Sequence, residues 1–285
     1  MELRLCAFAD EASSDLFEQI RILKENNIFM LELRSIYGKN VFDFTKEEAL
    51  KYSKILKENG IKVWSIGSPI GKVKISTDFD KYLAKVHSFF EICNIFECKR
   101  VRMFSFFEAF NDEEKVFKYL NLLVEEAYKF GITLCHENEK DVYGDNVSRV
   151  LKIKENVPGL KFIFDPANYI QVGQNIDEAI GKCLSFTSYF HIKDCLKSGE
   201  VVPSGLGDAN IKKMLSLIDF DTTLTLEPHL KIFDAYFKID NSELKNKYVY
   251  KDNETAFKEA CAHLKKLLLE LNFKETNGGF TKWVK

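Results

Sequence analysis

Short apolar runs recur along the chain, and they are rich in β-branched and aromatic residues. Within each run the residues are apolar almost throughout, rather than alternating with polar ones, which is typical of parallel strands buried on both faces. The predicted strands are residues 3–9, 28–33, 61–66, 100–104, 132–136, 160–164, 187–192 and 222–226.

The segments between these runs show helical periodicity. Thr45 and Glu48 match a capping box, and Gly60 ends the same helix just before the next strand. The predicted helices are residues 14–26, 45–59, 78–94, 112–130, 146–155, 175–183, 211–217 and 253–271. Strand starts lie roughly thirty residues apart, as a repeating βα unit requires, so we predict a closed (β/α)8 TIM barrel. A doubly wound open sheet is the alternative.

The whole chain, residues 1–285, is predicted to form a single barrel domain, because barrels of this class commonly take about 250 residues. Residues 231–252 are long for a βα connection and carry several aromatic residues. Two interpretations stay open for this segment, a lid over the site and a peripheral insertion.

The charge balance indicates a small-molecule partner. The 41 basic and 43 acidic residues nearly cancel, and no basic block stands apart, which argues against nucleic-acid binding. No apolar stretch is long enough to cross a membrane. Seven cysteines without a CxxC pair or a secretory leader predict reduced thiols in the cytoplasm. The number of subunits stays open, with a homo-oligomer among the alternatives.

Polar residues follow four successive predicted strands, in the segments ITLCHENE, LKFIFDPAN, YFHIKD and LTLEPHL. These residues are Glu137, Asp165, His191 and Glu227. Because the carboxyl ends of barrel strands meet at one face, the four side chains are expected to converge. Three crowded carboxylates need a compensating cation. Carboxylates with one imidazole favour Mn²⁺ or Mg²⁺, with Co²⁺ or Zn²⁺ as alternatives.

The segments HENE, FDPAN, HIKD and LEPHL resemble the motifs of the xylose isomerase-like barrel superfamily, which contains sugar isomerases, ketose 3-epimerases and inosose dehydratases. The resemblance spans nearly the whole chain. It implies that Glu137, Asp165, His191 and Glu227 bind one divalent metal. It also implies that Glu137 and Glu227 remove and return a proton. The expected activity is isomerisation or epimerisation of a sugar or sugar phosphate through a metal-stabilised enediolate.

Two positions depart from the epimerase pattern, which often has a His three residues after the metal Asp and an Arg six residues after the metal His. Here these positions are Asn168 and Lys197. Asn168 can still hydrogen-bond a substrate hydroxyl, and Lys197 can still contact an anion. The departures weaken the expectation of a ketose 3-epimerase and keep an inosose-type dehydratase as the close alternative.

Further candidates flank the four residues. Strand alternation places Lys193 on the same face as His191, where it is a candidate acid; an ion pair with Asp194 is the competing interpretation. His136 is expected to point to the helices as a buried, hydrogen-bonded residue. The other candidates for substrate contact are Glu32, Arg34, Ser65 and His229. For Arg34, an ion pair with Glu32 or with another acid is the competing role.

Two other function classes are less consistent with the sequence. The apurinic endonucleases of the superfamily use several zinc ions and a basic groove, which five histidines and a net charge of −2 do not favour. A non-catalytic barrel is the remaining alternative, because a fold alone guarantees no activity.

Overall fold

The computed structural model describes residues 1–233 and 247–282. Within these ranges, parallel strands form a closed barrel in which the first and last strands pair from Leu3 with Thr222 to Ala7 with Leu226. This pairing confirms the predicted (β/α)8 barrel, because an open sheet leaves both edges unpaired. The barrel strands are β1 Glu2–Ala7, β2 Met30–Leu33, β3 Lys62–Ile70, β4 Arg100–Met103, β5 Thr133–Glu137, β6 Lys161–Phe164, β7 Thr187–Ile192 and β8 Thr222–Leu226.

Helices surround the barrel, and their ends follow the capping signals in the sequence. Asp15 accepts hydrogen bonds from the first turn of the first helix, and the capping box of Thr45 and Glu48 is formed. The α-helices are α1 Leu16–Glu25, α2 Lys46–Glu58, α3 Phe79–Ile95, α4 Glu113–Lys129, α5 Val147–Asn156, α6 Pro166–Gln171, α7 Ile176–Cys183, α8 Ile211–Leu217 and α9 Asn253–Glu270.

Several elements differ from the sequence prediction. Two of them are short hairpins, of Ser35–Ile36 with Lys39–Asn40 and, after β7, of Asp194–Cys195 with Val201–Val202. Three more concern the barrel and its surroundings. Helix α6 was not predicted, because its six residues are too few to show a periodic pattern; Asp165 caps it and Pro166 begins it. Strand β3 continues to Ile70, beyond the predicted end at Ile66. A hairpin of Lys274–Thr276 and Gly279–Thr281 pairs antiparallel with the start of β1. Its few residues, several of them polar and exposed, carry little strand signal.

Two apolar regions stabilise the barrel. The larger lies mainly between the strands and the helices. The smaller consists of side chains that belong to the barrel strands themselves: Cys6, Trp64, Cys135, Ile163 and Tyr189, with Met30 packed against them. Because side chains two residues apart in a strand share a face, Glu137 and His191 point into the barrel like Cys135 and Tyr189. They lie two residues nearer the carboxyl end of the barrel. The smaller cluster therefore forms the floor of the candidate site.

Within the described ranges, no helix is long and apolar enough to cross a bilayer. Of the segment 231–252, residues 234–246 lie outside the described residues. Both interpretations of this segment, a lid over the site and a peripheral insertion, therefore remain predictions.

Candidate functional site

The structure brings together the four residues that follow strands β5 to β8. One ligand-type atom from each of Glu137, Asp165, His191 and Glu227 lies within 4.8 Å of the other three. All four side chains are buried. The imidazole Nδ1 of His191 lies 2.9 Å from Oε1 of Glu137 and 3.0 Å from Oε2 of Glu227. The cluster therefore has the donor set and the spacing of a site for a single ion.

Hydrogen bonding within this cluster is incomplete. One oxygen of each acid, Oε2 of Glu137, Oδ2 of Asp165 and Oε2 of Glu227, accepts no hydrogen bond of regular geometry from any described residue. Each of these oxygens is compensated instead by a cationic nitrogen, of Arg102 at 3.2 Å, Lys193 at 2.8 Å and His191 at 3.0 Å respectively. Carboxylate oxygens and an imidazole nitrogen are ligands that divalent cations accept. The residues present therefore fit a divalent metal ion.

Charge and burial set the protonation of these groups. Burial alone would lower the pKa of His191, but the charges of Glu137, Glu32 and Glu227 raise it well above its usual value. Burial raises the pKa of Asp165 to about 7, against the opposing charge of Lys193. Because a metal ligand must be a neutral imidazole or an ionised carboxylate, cation binding here must displace protons.

Glu32 and Ser65, both predicted to contact substrate, lie beneath His191 in the barrel interior and are fully buried. Oε2 of Glu32 is 3.3 Å from Nε2 of His191 and accepts a hydrogen bond from Thr225. Its Oε1 accepts hydrogen bonds from Ser65 and Tyr189. These contacts orient the imidazole so that Nδ1 faces the acids, an arrangement typical of metal-binding histidines. The positions of Glu32 and Ser65 favour this supporting role over substrate contact.

Glu32→Gln is expected to weaken binding of Mn²⁺ by about 10- to 100-fold, because outer partners of a metal-binding histidine fix its orientation and basicity. Isothermal titration calorimetry measures this effect. Tyr189→Phe is the matched control: it removes one hydrogen bond to Glu32 but keeps the carboxylate beside His191, so it should change the affinity much less. Unchanged Mn²⁺ affinity in Glu32→Gln would show that Glu32 does not support the site.

Arg34, another predicted substrate contact, is buried and its donors are engaged. Its Nε and Nη2 each lie 2.9 Å from an oxygen of Asp10. Nη2 also contacts Glu11 at 3.1 Å, and Nη1 contacts Glu227 at 3.0 Å. The guanidinium therefore compensates three acids.

Asp10 and Glu11 were not identified as site residues from the sequence, although they follow β1 within four residues and satisfy the same rule that identified the other acids.

Arg102 also contacts the cluster, although the sequence analysis did not identify it as a site residue. Its Nη1 lies 3.2 Å from Oε2 of Glu137 and 3.4 Å from Oε1 of Glu227. Although burial opposes its charge, Glu137, Glu227 and Glu32 raise the pKa of Arg102 above its ordinary value. The available signal was a charged residue inside the run RVRM, which is otherwise read as a buried strand.

A second group of ligand-type atoms comes from Glu11, Glu227 and His229, again within 4.8 Å of one another. The guanidinium of Arg34 contacts both of these acids. The two groups share Glu227, and the first offers four ligand-type residues where the second offers three.

The remaining candidates divide into two groups. Nζ of Lys193 lies 2.8 Å from Oδ2 of Asp165, not beside Asp194. The amide of Asn168 donates to the backbone oxygen of Asn138, and His229 lies 3.5 Å from Glu227. These three candidates border the cluster. Lys197 does not: its side chain is exposed, and its backbone N–H donates to Asp208.

His136 is fully buried, and its Nε2 lies 3.0 Å from Oγ of Ser105, as expected for a residue that faces the helices. Burial lowers its pKa to about 3 from the usual 6.5. Between pH 6.5 and 3 the unfolded chain therefore binds a proton at this position that the folded chain does not. Stability contributed by neutral His136 is complete above pH 6.5 and is lost as the pH falls.

His136→Gln should therefore flatten the acid side of the stability profile. In EDTA-treated protein, the free energy of unfolding of the parent chain should fall more steeply from pH 6.5 downward than that of the variant, by up to about 1.4 kcal/mol per pH unit. Urea denaturation at several pH values measures both slopes. Parallel slopes would contradict the assignment.

Comparison with known proteins gives a consistent picture of the fold. The chain aligns with the structure of the IolI protein with bound zinc at a TM-score of 0.74 and 14% identity, covering 94% of this chain and 99% of that one. L-ribulose 3-epimerase aligns at 0.74 and 16%, covering 95% of each chain. The probable 3-DHS dehydratase AsbF from Bacillus anthracis aligns at 0.70 and 15%, covering 93% and 99%. At these identities the likeness shows the fold alone.

The search of curated proteins finds no match. The model of one family, the xylose isomerase-like TIM barrel, matches residues 20–267, which is most of the chain. The chain therefore belongs to the xylose isomerase-like TIM barrel family.

Proposed function

We propose that this protein is a divalent-metal-dependent isomerase or epimerase that acts on a sugar or sugar phosphate at the carbon beside its carbonyl group. The observation that carries the proposal is the convergence of three buried carboxylates and one imidazole, whose ligand-type atoms all lie within 4.8 Å of one another. Mn²⁺ and Mg²⁺ are the proposed cations, with Co²⁺ and Zn²⁺ as alternatives. L-ribulose 3-epimerase and D-psicose 3-epimerase among the structural neighbours support this class.

Glu137, Asp165, His191 and Glu227 would hold the cation. When bound, the cation would supply positive charge beside the substrate carbonyl and make the adjacent C–H more acidic. The chain's own residues would move the protons. Glu137 is the last residue of β5, Glu227 directly follows β8, and both side chains are buried in the cluster. In the proposal one accepts the substrate proton and the other returns one.

Neighbouring residues would position and assist these two glutamates. Lys193 is buried and its charge is stabilised: burial alone would lower its pKa, but Asp165 and Glu227 raise it well above the usual value. An ammonium in this position can donate a hydrogen bond or a proton to a substrate oxygen. Oδ1 of Asn168 accepts no hydrogen bond from a described residue and is the proposed acceptor for a substrate hydroxyl. His229 borders the same cluster and is the remaining proposed substrate contact.

A dehydratase is the second candidate. The same proton removal leads to loss of a β-hydroxyl when an acid stands near the leaving oxygen, and the buried Lys193 ammonium offers one. The probable 3-DHS dehydratase among the structural neighbours supports this alternative. Product analysis separates the two candidates. A dehydratase forms water and an unsaturated ketone, whereas the product of an epimerase has the same molecular mass as the substrate.

Hydrogen exchange tests the proposal. The protein is stripped with EDTA, reloaded with Mn²⁺, Mg²⁺, Co²⁺ or Zn²⁺, and incubated with a panel of ketoses, ketose phosphates and inosose-like ketones in deuterated water. We expect metal-dependent incorporation of deuterium beside the carbonyl, detected by NMR and mass spectrometry. Tight binding of one metal per chain without exchange on any substrate would favour the non-catalytic barrel.

A further inference from the structure

A second opening lies at the amino-terminal end of the barrel, opposite the candidate metal site. It encloses a cavity of about 500 Å³. Trp64 and Cys135, both buried in the barrel's inner cluster, lie at its inner end. The first residues of β4, β5 and β6, which are Arg100, Thr133 and Lys161, line its wall together with Arg4 of β1. This opening takes no part in the proposed function.

The cations around this cavity differ in how far they are neutralised. The guanidinium carbon of Arg100 lies 4.5 Å from the centre of the Trp64 ring, a cation–π contact. Nε of Arg4 donates to Thr223, and its guanidinium is 3.6 Å from the exposed carboxylate of Glu2. Among the described residues, no carboxylate forms an ion pair with Arg100 or Lys161.

Arg100 and Lys161 share the inner face of the barrel. Arg100 stacks on Trp64 of the inner cluster, and Lys161 pairs with Cys135 in the sheet and lies two residues before Ile163, both of which belong to that cluster. Asp221, the acid that borders the cavity, accepts the backbone N–H of Glu2 at 2.8 Å. The cavity thus combines an aromatic wall, four cations (Arg4, Lys99, Arg100 and Lys161) and one acid, in a chain whose net charge is −2. Local positive charge of this kind favours anions.

We propose that the amino-terminal mouth of the barrel binds a small phosphate-bearing anion, with Arg100, Lys161 and Arg4 as the charged partners of its oxygens. An arginine fork and a lysine ammonium are suited to phosphate, the first by its paired N–H groups and the second as a point charge. The half-buried hydroxyl of Thr133 lies between the two cations in strand order and supplies a neutral donor. Free phosphate and the phosphate of a small metabolite share this chemistry.

Trp64 provides a direct reporter. The chain has two tryptophans, Trp64 and Trp283, so the variant Trp283→Phe leaves Trp64 as the single indole. The full chain, supplied with Mg²⁺, is titrated with inorganic phosphate and separately with glycerol 3-phosphate at constant ionic strength. A saturable change of Trp64 fluorescence, weakened by added KCl, is expected. Tighter binding of glycerol 3-phosphate indicates a metabolite, and equal binding indicates free phosphate; both outcomes support the site.

Calorimetry on charge variants locates the binding. Arg100→Gln combined with Lys161→Gln is expected to weaken phosphate binding at least tenfold. The matched control, Lys51→Gln combined with Lys118→Gln, makes the same charge change at exposed positions of α2 and α4 and should leave the affinity unchanged. Glu137→Gln should also leave it unchanged, because that residue lies at the other end of the barrel. Absence of saturation, an equal loss in the control pair, or loss of binding in Glu137→Gln overturns the proposal.

Discussion

Glu137→Gln is expected to weaken Mn²⁺ binding by more than about 100-fold, since it removes an anionic ligand rather than an outer partner. Any metal-dependent C–H exchange should fall by at least about 1000-fold, because the same substitution also removes a proposed proton acceptor. The amide keeps the size of the side chain, so the fold should persist. Calorimetry gives the affinity, NMR in deuterated water gives the exchange rate, and circular dichroism checks the fold.

Glu108→Gln is the matched control for this prediction. Glu108 follows β4, its side chain is exposed, and it pairs with the exposed Lys74. The same chemical change there should alter neither Mn²⁺ affinity nor exchange. Retention of both properties in Glu137→Gln would remove Glu137 from the metal site and from the proposed chemistry together. Loss of exchange with intact Mn²⁺ binding would support proton transfer by Glu137 but not its role as a metal ligand.

Arg102→Met is expected to lower the free energy of unfolding of the EDTA-treated protein by about 3–5 kcal/mol, because it removes a buried positive charge that compensates the carboxylates of both Glu137 and Glu227. Saturating Mn²⁺ should recover part of this loss, since a cation between the same carboxylates replaces the missing positive charge and binds only the folded chain. Urea denaturation with and without Mn²⁺ measures both effects.

Arg21→Met separates burial from the number of ion pairs. Arg21 contacts three acids, Glu18, Glu25 and Glu254, but its side chain is 38% exposed. Exposed pairs contribute little, so this substitution should cost far less stability than Arg102→Met. An equally small cost for Arg102→Met would show that Arg102 does not balance the buried acids. Arg102→Lys should lie between the two, because it keeps the charge but loses the guanidinium plane.

The barrel and the four central residues could be predicted because both depend on local pattern and chain order. A strand that is apolar throughout and followed by an acid or a histidine places that residue at the carboxyl end of the barrel, whatever the rest of the chain does. Glu137, Asp165, His191 and Glu227 all satisfy this rule. Asp10 and Glu11, which follow β1 within four residues, satisfy it too.

Other positions depend on depth inside the barrel, which alternation alone does not specify. Alternation gives Glu32 an inward direction, but not whether it lies beside a substrate or beneath His191. The hydrogen bonds with Tyr189 and Thr225, far away in the chain, decide this. Lys197 shows the opposite case, because a short hairpin after β7 directs it to solvent.

The amino-acid sequence by itself determined the strand order, the closed barrel, most helix boundaries and the acids and imidazole that meet at the carboxyl end. Only the tertiary structure decided how those charges are balanced, through Arg34 and Arg102 beside Glu227 and Lys193 beside Asp165. The physical reason is that hydrophobic periodicity is a local property of the chain, whereas the electrostatic energy of a buried charge depends on partners that folding brings within about 4 Å.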